Sequence, residues 1–139
     1  MEFAEGRILK IIYQDDLFVD SSALQKIKDS FDKTNCKWMM HGFNHTSDGK
    51  LFNREMIPRW TDMMLEGRNL LGSPSCFVTL NECKLYMDES IKLLIDTDLY
   101  HRMRMSYGMP CILGDILVSN AYEKMGCHAT KKIQKHQQK

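Results

Sequence analysis

The run RILKIIY, from Arg7 to Tyr13, gives way within a few residues to DSSALQKIKDSFDK, from Asp20 to Lys33. This step constrains the fold more than any other feature. The first run is Ile-rich without clean alternation, the pattern of a strand covered on both faces. The second has a capping residue, Asp20 or Ser21, and places Leu24, Ile27 and Phe31 on one helical stripe. A both-sides-buried strand followed by an amphipathic helix is the opening of an α/β layer structure.

The rest of the chain repeats the alternation. CKWMMHGF (36–43) reads as a second strand, and NHTSDGKLFNREMIPRW (44–60) as a long polar loop broken by Gly49 and Pro58. PSCFVTL (74–80) reads as a short strand and NECKLYM (81–87) as a helical turn. ESIKLLIDTDLYHRMRMSYG (89–108) reads as a second helix, with Leu99 and Met103 four apart and Gly108 as its stop. Pro110 bars continuation, and CILGDILVSNAY (111–122) is a last strand region with a bend at Gly114.

Composition narrows the function classes. With 139 residues, 43% of them hydrophobic and 27% charged, the chain has the balance of one soluble domain with a core. A formal net charge of +1 argues against a dedicated nucleic-acid binder. No stretch approaches the roughly 18 apolar residues of a membrane span, and MEFAEGRILK has no signal-peptide core. Five cysteines without paired spacing suggest free thiols in a reducing compartment, and thus a cytoplasmic protein. The eleven methionines read as adaptable core filler. The expected organisation is one domain over 1–128 and a basic polar tail over 129–139, ending in KKIQKHQQK.

Three stretches carry candidate chemistry. Gln14-Asp15-Asp16 ends the first strand, the edge where open α/β sheets bind ligands, and a hard divalent cation takes such carboxylates as ligands. By itself the pair reads first as an ordinary turn or helix entry. In LIDTDLYHRM, Asp96 and Asp98 stand near a helix start, where acids favour the helix dipole or act as a general base. In GRNLLGSPSC, Gly67, Gly72, Ser73 and Pro74 prescribe a tight backbone path, by default a plain loop, whose small residues also let a polar ligand approach the main chain. Cys36, His41, His45 and Cys127-His128 have a loose ligand-like spacing that matches no strong zinc pattern.

In order and spacing, AEGRILKIIYQDDLFVDSSALQKI, GRNLLGSPSCFVT and IDTDLYHRMRMSYGMPCIL resemble the second half of family 2 glycosyltransferases of the GT-A fold, from about Ala4 to about Gly126. The resemblance implies a partial GT-A-like (Rossmann-like) mixed sheet flanked by helices, lacking the N-terminal nucleotide-binding half. It implies Mn²⁺ or Mg²⁺ as cofactor, held by Asp16. Asp15 and Gln14 would lie beside the nucleotide sugar, with Gln14 in place of the motif's first acid. It puts the catalytic base on Asp96, with Asp98 as second choice. Gly72, Ser73, Pro74, Ser75 and Arg102 would line the acceptor side. The family's late metal-binding His is matched poorly, since His128 is shifted and Met125 falls near its position.

The implied reaction is inverting transfer of a sugar from a nucleotide-sugar donor to a glycan or other hydroxyl acceptor. A non-catalytic remnant or interaction module, completed by another chain, is the competing expectation. A sheet edge left open by missing strands would also invite homo-oligomerisation. A third reading, a polymerase palm, rests on YQDDL alone and lacks an earlier carboxylate-bearing strand.

Overall fold

The computed structural model describes residues 3–121. The chain builds β1 (Ile8–Lys10), β2 (Leu17–Phe18), α1 (Ala23–Lys33), β3 (Trp38–Thr46), β4 (Phe52–Met56), β5 (Phe77–Leu80), α2 (Ile95–Tyr107) and β6 (Cys111–Ala121). Single 3₁₀ turns lie at Met64–Glu66, Pro74–Cys76 and Asn81–Cys83. The α/β class expected from the sequence is present, as a mixed sheet with two helices.

The sheet runs β1-β5-β3-β6-β2, with β4 joined to β3. Among the described residues only the β3·β6 pair is parallel. Because β6 follows β3 from Met39 to Thr46, the other edge of β3 is shared. Trp38–Met40 pair there with β5, and Phe43–Thr46 with β4.

The strand period of two divides β3 between two cores. Trp38 and Met40, joined past the register shifts at Gly42 by Phe43, pack with Phe77 and with Leu99, Tyr100 and Met103 of α2. Met39 turns the other way and packs with Val78, Leu117 and the Ala23, Ile27 and Phe31 stripe of α1. The two helices therefore cover opposite faces of the sheet, and β3 is buried along nearly its whole length, its polar residues His41, Asn44 and Thr46 included. The ring of Tyr100 stacks on Phe77 at a centroid distance of 5.9 Å, and Trp38 Nε1 donates to the Gly108 carbonyl at 2.9 Å.

Several expectations need correction. Within RILKIIY the strand is only Ile8–Lys10. On α1 it is Ala23, not Leu24, that faces the core with Ile27 and Phe31; Leu24 is exposed. The supposed loop 44–60 contains the end of β3 and all of β4. Between them Asp48 Oδ1 accepts from the N–H groups of Lys50 and Leu51, both at 2.9 Å, and closes a hairpin turn. The second helix begins at Ile95 rather than Glu89, after Leu94 adopts a left-handed conformation. Its stop is at Gly108 as expected, where the N–H bonds the Arg104 carbonyl at 2.8 Å. β6 runs through Gly114 and absorbs the irregularity as register shifts beside Gly42. A Cβ on Gly42 would come within 2.8 Å of the Asp115 carbonyl, so the two strands approach there as only glycine allows.

The free-thiol expectation fails for one pair. Cys36 and Cys111 form a disulfide, with Cα atoms 6.1 Å apart at the entrances of β3 and β6. Cys76 and Cys83 are free and buried. Met39, Met40, Met64 and Met103 fill core space as expected, whereas Met63, Met105 and Met109 are exposed. Among the described residues no helix is long and apolar enough to cross a membrane. The tail 129–139, Met125 and Cys127-His128 lie outside the described residues.

Candidate functional site

The acidic step after β1 is a turn, closed by the Asp16 N–H on the Tyr13 carbonyl at 3.1 Å. It leads into β2, whose Leu17 pairs with Ser119 of β6. That register sets Asp16 against the end of β6. Asn120 Nδ2 donates to Asp16 Oδ2 at 2.7 Å, and the Ala121 N–H donates to Oδ1 at 3.0 Å. The same Asn120 nitrogen donates to Ser73 Oγ at 2.8 Å.

Ser73 belongs to a loop tied down from several directions. Asn69 Oδ1 accepts from the Leu71 and Gly72 N–H groups, at 2.9 and 3.3 Å. Its Nδ2 donates to the Gly72 carbonyl at 3.0 Å and to Asp96 Oδ2 at 2.9 Å. Tyr100 Oη adds a bond to the Gly72 carbonyl at 3.3 Å. Gly72 itself has φ +99°, and a Cβ there would stand 2.6 Å from the Phe43 ring. Only glycine fits both the backbone and the space.

Beneath the loop, Lys10 Nζ donates to the Ser75 carbonyl and, at 2.9 Å, to that of Ile11. Burial lowers its pKa to about 8, against the smaller raising effects of Cys76 and Asp16. His41 is wholly buried; its Nδ1 bonds the Gly42 carbonyl at 2.8 Å, so the proton sits on Nδ1. Burial, and secondarily the Lys10 charge, lower the His41 pKa to about 4. Burial pushes the Cys76 thiol up to about 12, so it is no nucleophile.

These elements surround a cleft of about 470 Å³. Its polar lining includes Asp15, Asp16, Asn69, Ser73 and Asn120, and Tyr13, Phe43 and Met56 supply apolar walls. The Tyr13 phenol has its pKa raised by burial first, then by Asp96 and by Asp16. Both carboxylates thus act on one hydroxyl at the rim. An aromatic and apolar wall beside carboxylates and amides offers hydrogen-bond donors and acceptors next to a flat apolar face, which suits a polyhydroxylated ligand.

The sequence-based candidates divide. Asp15, Asp16, Gly72 and Ser73 line the cleft, and Asp96 joins it through Asn69. Gln14 is exposed and is not part of the lining. Pro74 and Ser75 are buried behind the loop, with Ser75 Oγ accepting from the Tyr13 N–H at 2.9 Å. Asp98 and Arg102 form an i,i+4 ion pair at 2.7 Å, and Arg102 also donates to the Tyr86 carbonyl at 2.9 Å. Asn69 and Asn120 were not singled out by the sequence; a polar residue three before Gly72 was the only available signal for the first.

Among the described residues no group of three or more His, Cys, Asp or Glu side chains is placed to hold a metal ion. Asp15 and Asp16 place two adjacent carboxylates at the cleft, and divalent ions are commonly held by one or two carboxylates with phosphate and water completing the shell. Each Asp16 oxygen accepts one N–H and keeps a second lone pair.

No family model, no curated protein and no solved structure matches this chain.

Proposed function

We propose that the protein is a metal-dependent glycosyltransferase that moves a sugar, with inversion, from a nucleotide-sugar donor to a hydroxyl acceptor. The observation that carries this reading is the convergence on one cleft of the Asp15-Asp16 turn, the Gly72-Ser73 loop and, through Asn69, Asp96. The three motifs that resemble family 2 glycosyltransferases are thereby the three that meet. The motifs are distant in sequence, on β1–β2, the β4–β5 connection and α2, so adjacency along the chain does not account for their meeting.

In this reading Asp16 would hold Mn²⁺ or Mg²⁺, with Asp15 beside the nucleotide sugar, and the ion when bound would supply positive charge to the departing diphosphate. Asp96 accepts the proton of the acceptor hydroxyl as its oxygen bonds the anomeric carbon. The bond from that carbon to the phosphate oxygen breaks, and its electron pair leaves with the nucleoside diphosphate. Asn69 engages Asp96 at Oδ2 and orients the carboxylate. Asp98, engaged by Arg102, braces the first turns of α2.

Isothermal titration of the full chain with nucleotide sugars, with and without Mn²⁺, tests the reading. Saturable binding that needs Mn²⁺ and disappears in Asp16→Asn is expected. Silence across uridine, guanosine and cytidine diphosphate sugars rejects it.

One observation favours a second reading, an interaction module completed by another chain. Among the described residues β1 pairs only with β5, and an apolar groove flanking it is lined by Ile8, Ile11, Ile12, Phe18 and Leu24. An open strand edge beside apolar surface is the usual setting for added strands. Silent titrations together with a concentration-dependent oligomeric state would favour this alternative.

A further inference from the structure

We infer that Asn120 is a positioning residue that couples the Asp16 carboxylate to the Ser73 hydroxyl, so that the two sides of the cleft are set as one unit. Its functional consequence rests on the sugar-transfer reading; the coupling itself does not.

The chemistry of the partners fixes the arrangement. A carboxylate offers only acceptors, so the nitrogen of the Asn120 amide, not its oxygen, must face Asp16. That nitrogen has two hydrogens and two acceptors in reach, Asp16 Oδ2 at 2.7 Å and Ser73 Oγ at 2.8 Å. Both donors are therefore committed. Ser73 Oγ, having accepted from Asn120, directs its own proton elsewhere, toward Cys76 Sγ at 3.9 Å or a ligand oxygen in the cleft. Asp16, pinned at Oδ2 by Asn120 and at Oδ1 by the Ala121 N–H, cannot rotate without breaking bonds to adjacent residues of one strand.

Side-chain rotation at Asp16 is thereby stopped by β6, and the hydroxyl orientation at Ser73 by the same amide. No other described side chain bonds both. Alanine at 120 removes both restraints and leaves the backbone bond from Ala121. Groups that orient a metal-binding ligand from behind commonly change metal affinity 10- to 100-fold when removed.

The test uses the full chain and two readouts. First, the ¹³Cγ resonance of Asp16 is followed on Ser73→Ala, in the wild-type background and in Asn120→Ala. A perturbation in the wild type that vanishes without Asn120 is expected; an equal perturbation in both backgrounds, or none in the wild type, overturns the coupling. Second, Mn²⁺-dependent nucleotide-sugar affinity is expected to fall at least about tenfold in Asn120→Ala, with no further loss on adding Ser73→Ala. Full affinity in a folded Asn120→Ala chain overturns the functional consequence. If the wild type binds no nucleotide sugar, the sugar-transfer reading fails and the first readout alone decides the coupling. Should Asn120→Ala not fold, Asn120→Thr serves in both arms, since its branched side chain suits a strand and its hydroxyl has one proton to donate.

Discussion

Asn69 Nδ2 stands 2.9 Å from Asp96 Oδ2 and 3.0 Å from the Gly72 carbonyl, so one amide joins the head of α2 to the loop that carries Ser73. Its oxygen accepts from two N–H groups of the same loop. Asn69→Ala removes all four bonds. At about 1 kcal/mol net for a typical bond, and less for the long ones, a loss of about 2–3 kcal/mol is expected. Urea denaturation with an unchanged slope is the measurement.

Asp96→Asn keeps the size of the side chain and removes its basicity. Transfer is expected to fall at least about 10²-fold, while Mn²⁺-dependent donor binding stays within about twofold. Initial rates and titration on the same preparation check it, and near-normal turnover removes Asp96 from the role of base.

Gly72→Ala meets two obstacles, a φ of +99° and a Phe43 ring 2.6 Å from the new methyl. Left-handed strain costs about 1–3 kcal/mol, and the overpacking adds a similar amount. Phe43→Ala in the same chain removes the clash but not the strain, so the double variant should recover stability only in part, relative to Phe43→Ala alone.

His41 gives stability a specific pH dependence. Its folded pKa is lowered to about 4, chiefly by burial, from an ordinary value of 6.5. Between those values the unfolded chain binds a proton that the folded chain refuses, so stability falls as pH drops from 6.5 toward 4. The full loss is about 3 kcal/mol. The lowered carboxylates Asp20, Asp32, Asp62 and Asp88 act below this window, since their ordinary value is 3.8. Unfolding free energies from urea denaturation should fall by about 2.5 kcal/mol more for the wild type than for His41→Gln between pH 7 and 4.5.

The Cys36–Cys111 disulfide closes a loop with a sequence separation of 75. Cys36→Ser is expected to destabilise the chain by about 4 kcal/mol on chain-entropy grounds. Denaturation with and without a reducing agent checks it, and the variant should lose that sensitivity.

What the sequence disclosed, it disclosed through local chemistry. The strand-to-helix step, the stop at Gly108 and the unusual demands on Gly72 each follow from a few adjacent residues. β4 was hidden because all five of its residues are exposed, which leaves no alternation to detect. Ala23 and Leu24 both lie a helical turn from Ile27, so periodicity alone does not choose between them. The Cys36–Cys111 pair leaves no local mark, since tertiary register brings it together. Asn69 and Asn120 were missed because an asparagine before a glycine loop, or at a strand end, is ordinary until its partners are known. The motif acids were legible as types; their division into cleft residues and braced residues depended on which side of α2 met the loop.

The parallel pairing of β3 with β6 also governs when the site can exist. A nascent chain that has emerged only through Met109 already contains α1, α2 and both strands on one edge of β3, but leaves the other edge bare. Contacts this distant in sequence close late and keep folding slow. Until β6 arrives, the growing chain exposes a long apolar strand edge open to wrong partners. Asp16 lacks both of its donors over the same interval, so a finished cleft is evidence of a completed sheet.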